Sequence, residues 1–150
     1  MQYDKVVALL DDALAQPGAV VVTGGGTGSG DGYFVEPTLI TGLDEESALV
    51  RDEQFGPVVP ILSFDSVDEA VARANATRFG LGASVWGRDL DRATEVAARL
   101  DAGTVWINKH GINESDVPFG GFKESGYGRE HGVFGGRSYM ELQVISRPPA

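Results

Sequence analysis

From Val58 to Asn108 the chain alternates strand-forming and helix-forming segments, and this alternation restricts the fold more than any other feature. Val58 to Phe64 is rich in Val, Ile and Leu and reads as a strand. Ser66 followed by Glu69 forms a capping box, which starts a helix with Val67, Ala70, Val71 and Ala74 on its apolar face. Leu81 to Trp86 is the next strand. Asp89 caps a second helix with Ala93, Val96, Ala97 and Leu100 on one face, and Gly103 ends it before a third strand, Thr104 to Asn108. Strands separated by helices at this spacing return in the same direction, so an α/β fold with a parallel sheet is expected.

Around this core the signals are simpler. Tyr3, Val6, Val7, Leu10 and Leu14 keep the helical period, and Pro17-Gly18 stops that helix. Ala19 to Thr23 reads as a short strand, Gly24 to Gly32 as a glycine-rich loop, and Tyr33 to Ile40 as a strand made irregular by Pro37. Asp44 to Val50 reads as a short acidic helix. No regular structure is expected from Lys109 to Gly126, and a loop of that length usually carries function. A short helix is expected within Gly126 to Val133. A last strand, Tyr139 to Ile145, is free to pair outside the main sheet. The expected organisation is one body over residues 1–137 and a strand with its tail over 138–150.

Charge narrows the partners. With 12 Lys and Arg against 22 Asp and Glu, the formal charge is −10, a surface that repels phosphate backbones and anionic membranes. No apolar run is long enough to span a bilayer and no signal-peptide pattern begins at Met1, so a cytoplasmic location is expected. The 150 residues contain no cysteine, which excludes disulfides and thiolate catalysis within this chain.

Several chemical signals are weak. The glycines from Gly24 to Gly32 do not have dinucleotide-fingerprint spacing, and a strand follows them where a helix would be needed. His110, Ser115 and Asp116 are the residue types of a hydrolase triad, but they crowd one loop and no nucleophile elbow surrounds the serine. An enzyme built on His110 or on the acidic residues 44–53 would need those side chains to converge in a closed pocket. With only one other histidine, His131, no metal site is expected. Glu53 is different, because Phe55-Gly56-Pro57 follows it and fixes a turn before a strand. A carboxylate on such a corner can accept two hydrogen bonds from a vicinal diol, and an adjacent aromatic ring can pack on a flat heterocycle.

In order along the chain stand Gly32-Tyr33-Phe34-Val35-Glu36-Pro37-Thr38, Asp52-Glu53-Gln54-Phe55-Gly56-Pro57, Gly80-Leu81-Gly82-Ala83, Gly103-Thr104-Val105-Trp106-Ile107-Asn108 and Pro118-Phe119-Gly120-Gly121-Phe122-Lys123-Glu124-Ser125-Gly126. Together they resemble the C-terminal portion of the aldehyde dehydrogenase superfamily, from about Tyr3 to Ile145. The resemblance implies an α/β half-domain of the catalytic domain, ending in a strand that joins an oligomerisation sheet. It matches Glu53 to a glutamate on the nicotinamide ribose, Phe55 to an aromatic residue beside the nicotinamide, and Phe119 to an aromatic residue of the substrate tunnel. His110 to Asp116 would border the tunnel mouth.

NAD or NADP is the implied coenzyme. The implied reaction adds a cysteine thiolate to an aldehyde, passes hydride to the coenzyme and hydrolyses the thioester to an acid. The cysteine, its general base and the oxyanion asparagine of that family have no counterpart here, so no catalytic residue is assigned. The isolated chain is expected to be inactive. It is expected to self-associate or to join a missing N-terminal half; an assembly module derived from the family is the alternative.

Overall fold

The computed structural model describes residues 1–149; Ala150, the last residue of the expected tail, lies outside the described residues. The chain divides between Phe64 and Asp65 into two compact units.

In the first unit, α1 (Gln2–Leu14) buries Val6, Leu10 and Ala13, the positions that the helical period sets on one face. They pack with Ile40, Leu43, Leu49 and Val58 into one core. The sheet against this core runs in the order β1 (Val20–Thr23), β2 (Thr38–Thr41), β3 (Val58–Pro60). β1 and β2 are antiparallel, whereas β2 and β3 are parallel, with Thr38 opposite Val58 and Ile40 opposite Pro60. β2 is shorter than the expected 33–40 and starts directly after Pro37, which has no N–H to give the ladder. Upstream, the glycine loop folds back on itself, since Gly28 N–H donates to Phe34 O and Glu36 N–H to Gly26 O, each at 2.9 Å.

α2 (Ala48–Arg51) covers only the end of the expected 44–50. Asp44 instead captures the chain in a turn, its carboxylate accepting Glu46 N–H at 2.8 Å and its carbonyl accepting Ser47 N–H at 3.0 Å.

The second unit contains the part of the expected alternation that follows the strand at Val58. α3 (Val67–Ala76) starts at Ser66, whose hydroxyl accepts Glu69 N–H at 3.1 Å. The strand expected over 81–86 forms as β5 (Gly82–Val85), and a two-residue strand that was not expected, β4 (Phe79–Gly80), precedes it. α4 (Leu90–Ala97) is capped by Asp89, which accepts Arg92 N–H at 3.0 Å. It leads to β6 (Thr104–Ile107), which pairs parallel with β5 from Gly82–Thr104 to Val85–Ile107. The close approach needs glycines. A Cβ on Gly82 would stand 2.7 Å from the Trp106 ring, and one on Gly103 only 1.6 Å from Gly120 O. β7 (Phe122–Lys123) returns antiparallel to β4, and α5 (Gly132–Arg137) begins near the end of the span expected to hold a helix.

Of the parallel pairing expected across 58–108 only β5–β6 forms; β3 pairs parallel with β2, which precedes that span, and not with β5 or β6. The last expected strand, Tyr139 to Ile145, does not form among the described residues. A single extended segment has no ladder of its own; its N–H and C=O groups need a neighbouring strand, and none pairs with it among the described residues.

Candidate functional site

Glu53 and Phe55 lie on one corner of the first unit, between α2 and β3, and α1 holds that corner by its backbone. Lys5 Nζ donates to Glu53 O at 2.6 Å, and Gln2 Nε2 donates to Phe55 O at 3.2 Å and also to Gln54 O. Gln54 spends its own side chain on Val58 O, tying the corner to the start of β3. Gly56 lets the turn press on the helix, since a Cβ there would come within 2.5 Å of a Val6 methyl.

Three consecutive carbonyls anchored in this way leave the neighbouring side chains outside. The Phe55 ring is 76% exposed, and its backbone has φ 50°, a left-handed conformation costing a non-glycine residue about 1–2 kcal/mol. The Glu53 carboxylate is exposed and makes no hydrogen bond or ion pair among the described residues. An unengaged carboxylate can accept from the two hydroxyls of a ribose diol, and an unburied ring can pack on a nicotinamide, so the residue types at this corner fit that end of the coenzyme.

Phe119 belongs to the second unit. It is half-buried and locked by a two-way backbone bridge with Glu130, at 2.9 and 2.7 Å. Beside it is a cavity of about 260 Å³ walled by Trp106, Ile112, Asn113, Val117 and Phe119. Trp106 is buried on β6 and donates its indole N–H to Ile112 O at 2.8 Å, which fixes the loop over the cavity. On the rim Lys109 Nζ pairs with Glu114 Oε1 at 3.2 Å. These two charges and the Trp106 wall escape inspection of the sequence, because a loop has no period from which to infer facing residues.

The hydrolase-type residues do not assemble. His110 Nδ1 is hydrogen-bonded to Ser84 Oγ, and its ring meets Trp106 edge-on at 5.2 Å. Ser115 contributes its carbonyl, which accepts Gly132 N–H at 3.0 Å. Among the described residues no group of His, Asp and Glu side chains could hold a metal ion, and no helix is long and apolar enough to cross a membrane.

Comparison with known proteins agrees with this architecture. The cytosolic aldehyde dehydrogenase 2 of Macroscelides proboscideus is 43% identical over 145 residues, 97% of this chain and 60% of that protein. A betaine aldehyde dehydrogenase of Rhizobium leguminosarum is 44% identical over 147 residues, 96% of this chain and 30% of the relative. Among solved structures, an aldehyde dehydrogenase C mutant from Pseudomonas syringae, complexed with NAD+ and octanal, superposes with a TM-score of 0.86 at 43% identity. That match covers 93% of this chain and 29% of the other. The chain thus spans 60% of the length of the first of these relatives and about 30% of the other two. Residues 1–145 match the aldehyde dehydrogenase family throughout, and with the motif order and the α/β architecture agreeing, the chain belongs to that family.

Proposed function

We propose that this chain supplies the nicotinamide-ribose corner and part of the aldehyde-contacting surface of an NAD(P)-dependent aldehyde dehydrogenase. The observation that carries the reading is the free, outward Glu53 carboxylate beside the outward Phe55 ring, on a corner whose backbone is held by Lys5 and Gln2. Glu53 would accept hydrogen bonds from both ribose hydroxyls, and Phe55 would pack beside the nicotinamide. The coenzyme, when bound, supplies the hydride acceptor. Phe119 would line the approach of the aldehyde. The chain has no cysteine, so the thiolate that attacks the aldehyde would come from polypeptide outside these 150 residues.

A chimera tests this: the chain replaces the matching segment of the Rhizobium relative, and NADH formation from an aldehyde is followed. Glu53→Gln should raise the KM for NAD+ about tenfold, the loss expected when a charge-assisted hydrogen bond becomes a neutral one. An unchanged KM in a folded, active chimera refutes the assignment. The isolated chain should form no NADH from aldehydes.

A second reading rests on a separate observation. Tyr139, Leu142, Val144 and Ile145 are all more than four-fifths exposed, with no partner strand among the described residues. In this reading the segment adds to the sheet of another polypeptide and the chain acts as an assembly module. Sedimentation of the chain alone and with a full-length relative tests it, and a monomer under both conditions counts against it.

A further inference from the structure

The tip of the glycine-rich loop has a chemistry separate from the coenzyme corner. Asp31-Gly32 is the one Asp-Gly step in the sequence, and Asn-Gly does not occur. The loop is fastened at its base, where Thr27 bridges Val35, Gly28 N–H donates to Phe34 O and Glu36 N–H donates to Gly26 O. Beyond that base, from Ser29 to Tyr33, no backbone or side-chain group makes a hydrogen bond or ion pair among the described residues. All five residues are exposed, and a Cβ on Gly30 would meet nothing within 4 Å.

This tip leaves a nucleophile and an electrophile free on adjacent residues. Gly32 has no Cβ to crowd its amide nitrogen, and its N–H has no acceptor among the described residues. The Asp31 carboxyl has no partner there to hold it away from the next peptide. A Cβ on Gly32 would stand 2.1 Å from the Phe34 ring, but that ring is 70% exposed and can swing aside. Aspartates elsewhere are held: Asp44 accepts Glu46 N–H at 2.8 Å, Asp89 accepts Arg92 N–H at 3.0 Å, and Asp101 faces Lys123 at 3.6 Å.

We infer that Asp31-Gly32 is a site of spontaneous isomerisation to isoaspartate. It is therefore a substrate for the class of methyltransferase that esterifies isoaspartyl carboxylates with S-adenosylmethionine. The Gly32 nitrogen attacks Asp31 Cγ; an N–Cγ bond forms, the Cγ–OH bond breaks, and the hydroxyl leaves with the amide proton as water. Water then adds to one carbonyl of the cyclic imide. Breaking the N–Cγ bond restores aspartate, whereas breaking the original peptide bond leaves the main chain running through Cγ. The product has the composition of the parent, so no oxidant or reductant enters.

The test ages the whole chain in neutral buffer and measures methyl transfer from labelled S-adenosylmethionine by a purified isoaspartyl methyltransferase. Incorporation should rise with time, map to the peptide holding Asp31, and vanish in Asp31→Glu, which keeps the charge but cannot close the five-membered ring. Ageing in 18O-water gives a second reading, since each passage through the imide leaves a heavy oxygen at residue 31. A synthetic peptide of residues 27–35 supplies the unprotected rate, and the folded chain should age at a rate close to it. A folded rate about tenfold lower, as a held backbone would give, overturns the inference. So does an aged chain that takes up neither methyl nor heavy oxygen, or label that persists in Asp31→Glu.

Discussion

Replacing Gly56 by alanine probes the contact that sets the corner on α1. A Cβ at this position would stand 2.5 and 2.8 Å from the two Val6 methyls and 3.3 Å from the Val6 Cβ. Val6 is 3% exposed and packed in the core with Leu10, Ile40 and Val58, so it cannot turn aside without displacing them. Overpacking of this kind costs about 1–3 kcal/mol. Gly56 does not have positive φ, so alanine is allowed there, and its smaller unfolded-state entropy returns about 0.4–1 kcal/mol. A net loss of about 1–2 kcal/mol is expected, moving the urea midpoint by roughly 0.5–1 M.

Far-UV circular dichroism follows the transition. Tryptophan fluorescence tracks the second unit separately, because Trp86 and Trp106 both lie there. A double-mutant cycle isolates the contact. Val6→Ala alone should cost about 2 kcal/mol, yet it removes both clashing methyls. Gly56→Ala added to that background should therefore be nearly neutral, a coupling of about 1 kcal/mol or more. An equal cost in both backgrounds, or a single-mutant loss under about 0.5 kcal/mol, refutes the described packing.

Phe55→Gly relieves the left-handed strain of about 1–2 kcal/mol but gives back about 0.4–1 kcal/mol through a freer unfolded chain. Thermal melts should show slight stabilisation, while the chimera loses NAD+ affinity. Gly103→Ala sets a methyl 1.6 Å from Gly120 O, a clash with backbone that no rotamer relieves. A loss above about 3 kcal/mol is expected, seen as a lower Tm or insoluble protein. Asn108 has φ 52° and bridges Gly87 with both side-chain atoms, accepting its N–H at 2.8 Å and donating to its O at 2.7 Å. Asn108→Ala should therefore cost about 2 kcal/mol in urea titration, and Asn108→Gly, which keeps the backbone angle, about half that.

Glu69 responds to pH. Its carboxylate accepts Asp65 N–H at 2.8 Å, which with the Arg73 pair holds its pKa below the ordinary 4.5. A depressed folded pKa means that its contribution is complete above the unfolded pKa and is lost as pH falls through the folded one. Between Glu69→Gln and the parent, the stability gap should close in acid and be full at neutral pH; a pH-independent gap refutes it.

Local chemistry was legible in the sequence. Ser66 and Asp89 cap the helices they were expected to cap, and Val6 and Leu10 face the core. Each depends on residues within a turn or two of one another. The Glu53–Pro57 corner was legible for the same reason, since Gly56 and Pro57 restrict the backbone where they stand. The Ser84–His110 bond joins residues 26 apart, and the Lys109–Glu114 pair spans an irregular loop. Propensity and period say nothing about either. Asp44 shows the opposite failure: an acidic stretch that looks like a helix start forms a side-chain turn first.

Apolar pattern alone predicts that a face will be covered, without saying by what. On α3 only Val71 is buried of the four residues expected on the apolar face, and all four residues of β1 are exposed. The tail from Tyr139 to Ile145 carries strand-forming residues and finds no strand to pair with among the described residues. Phe55 is a large ring held open at a conformational cost. Exposed apolar surface on this scale is what interfaces and ligand sites look like before they are filled. The same physics thus explains why the tail strand was expected and why it does not form among the described residues.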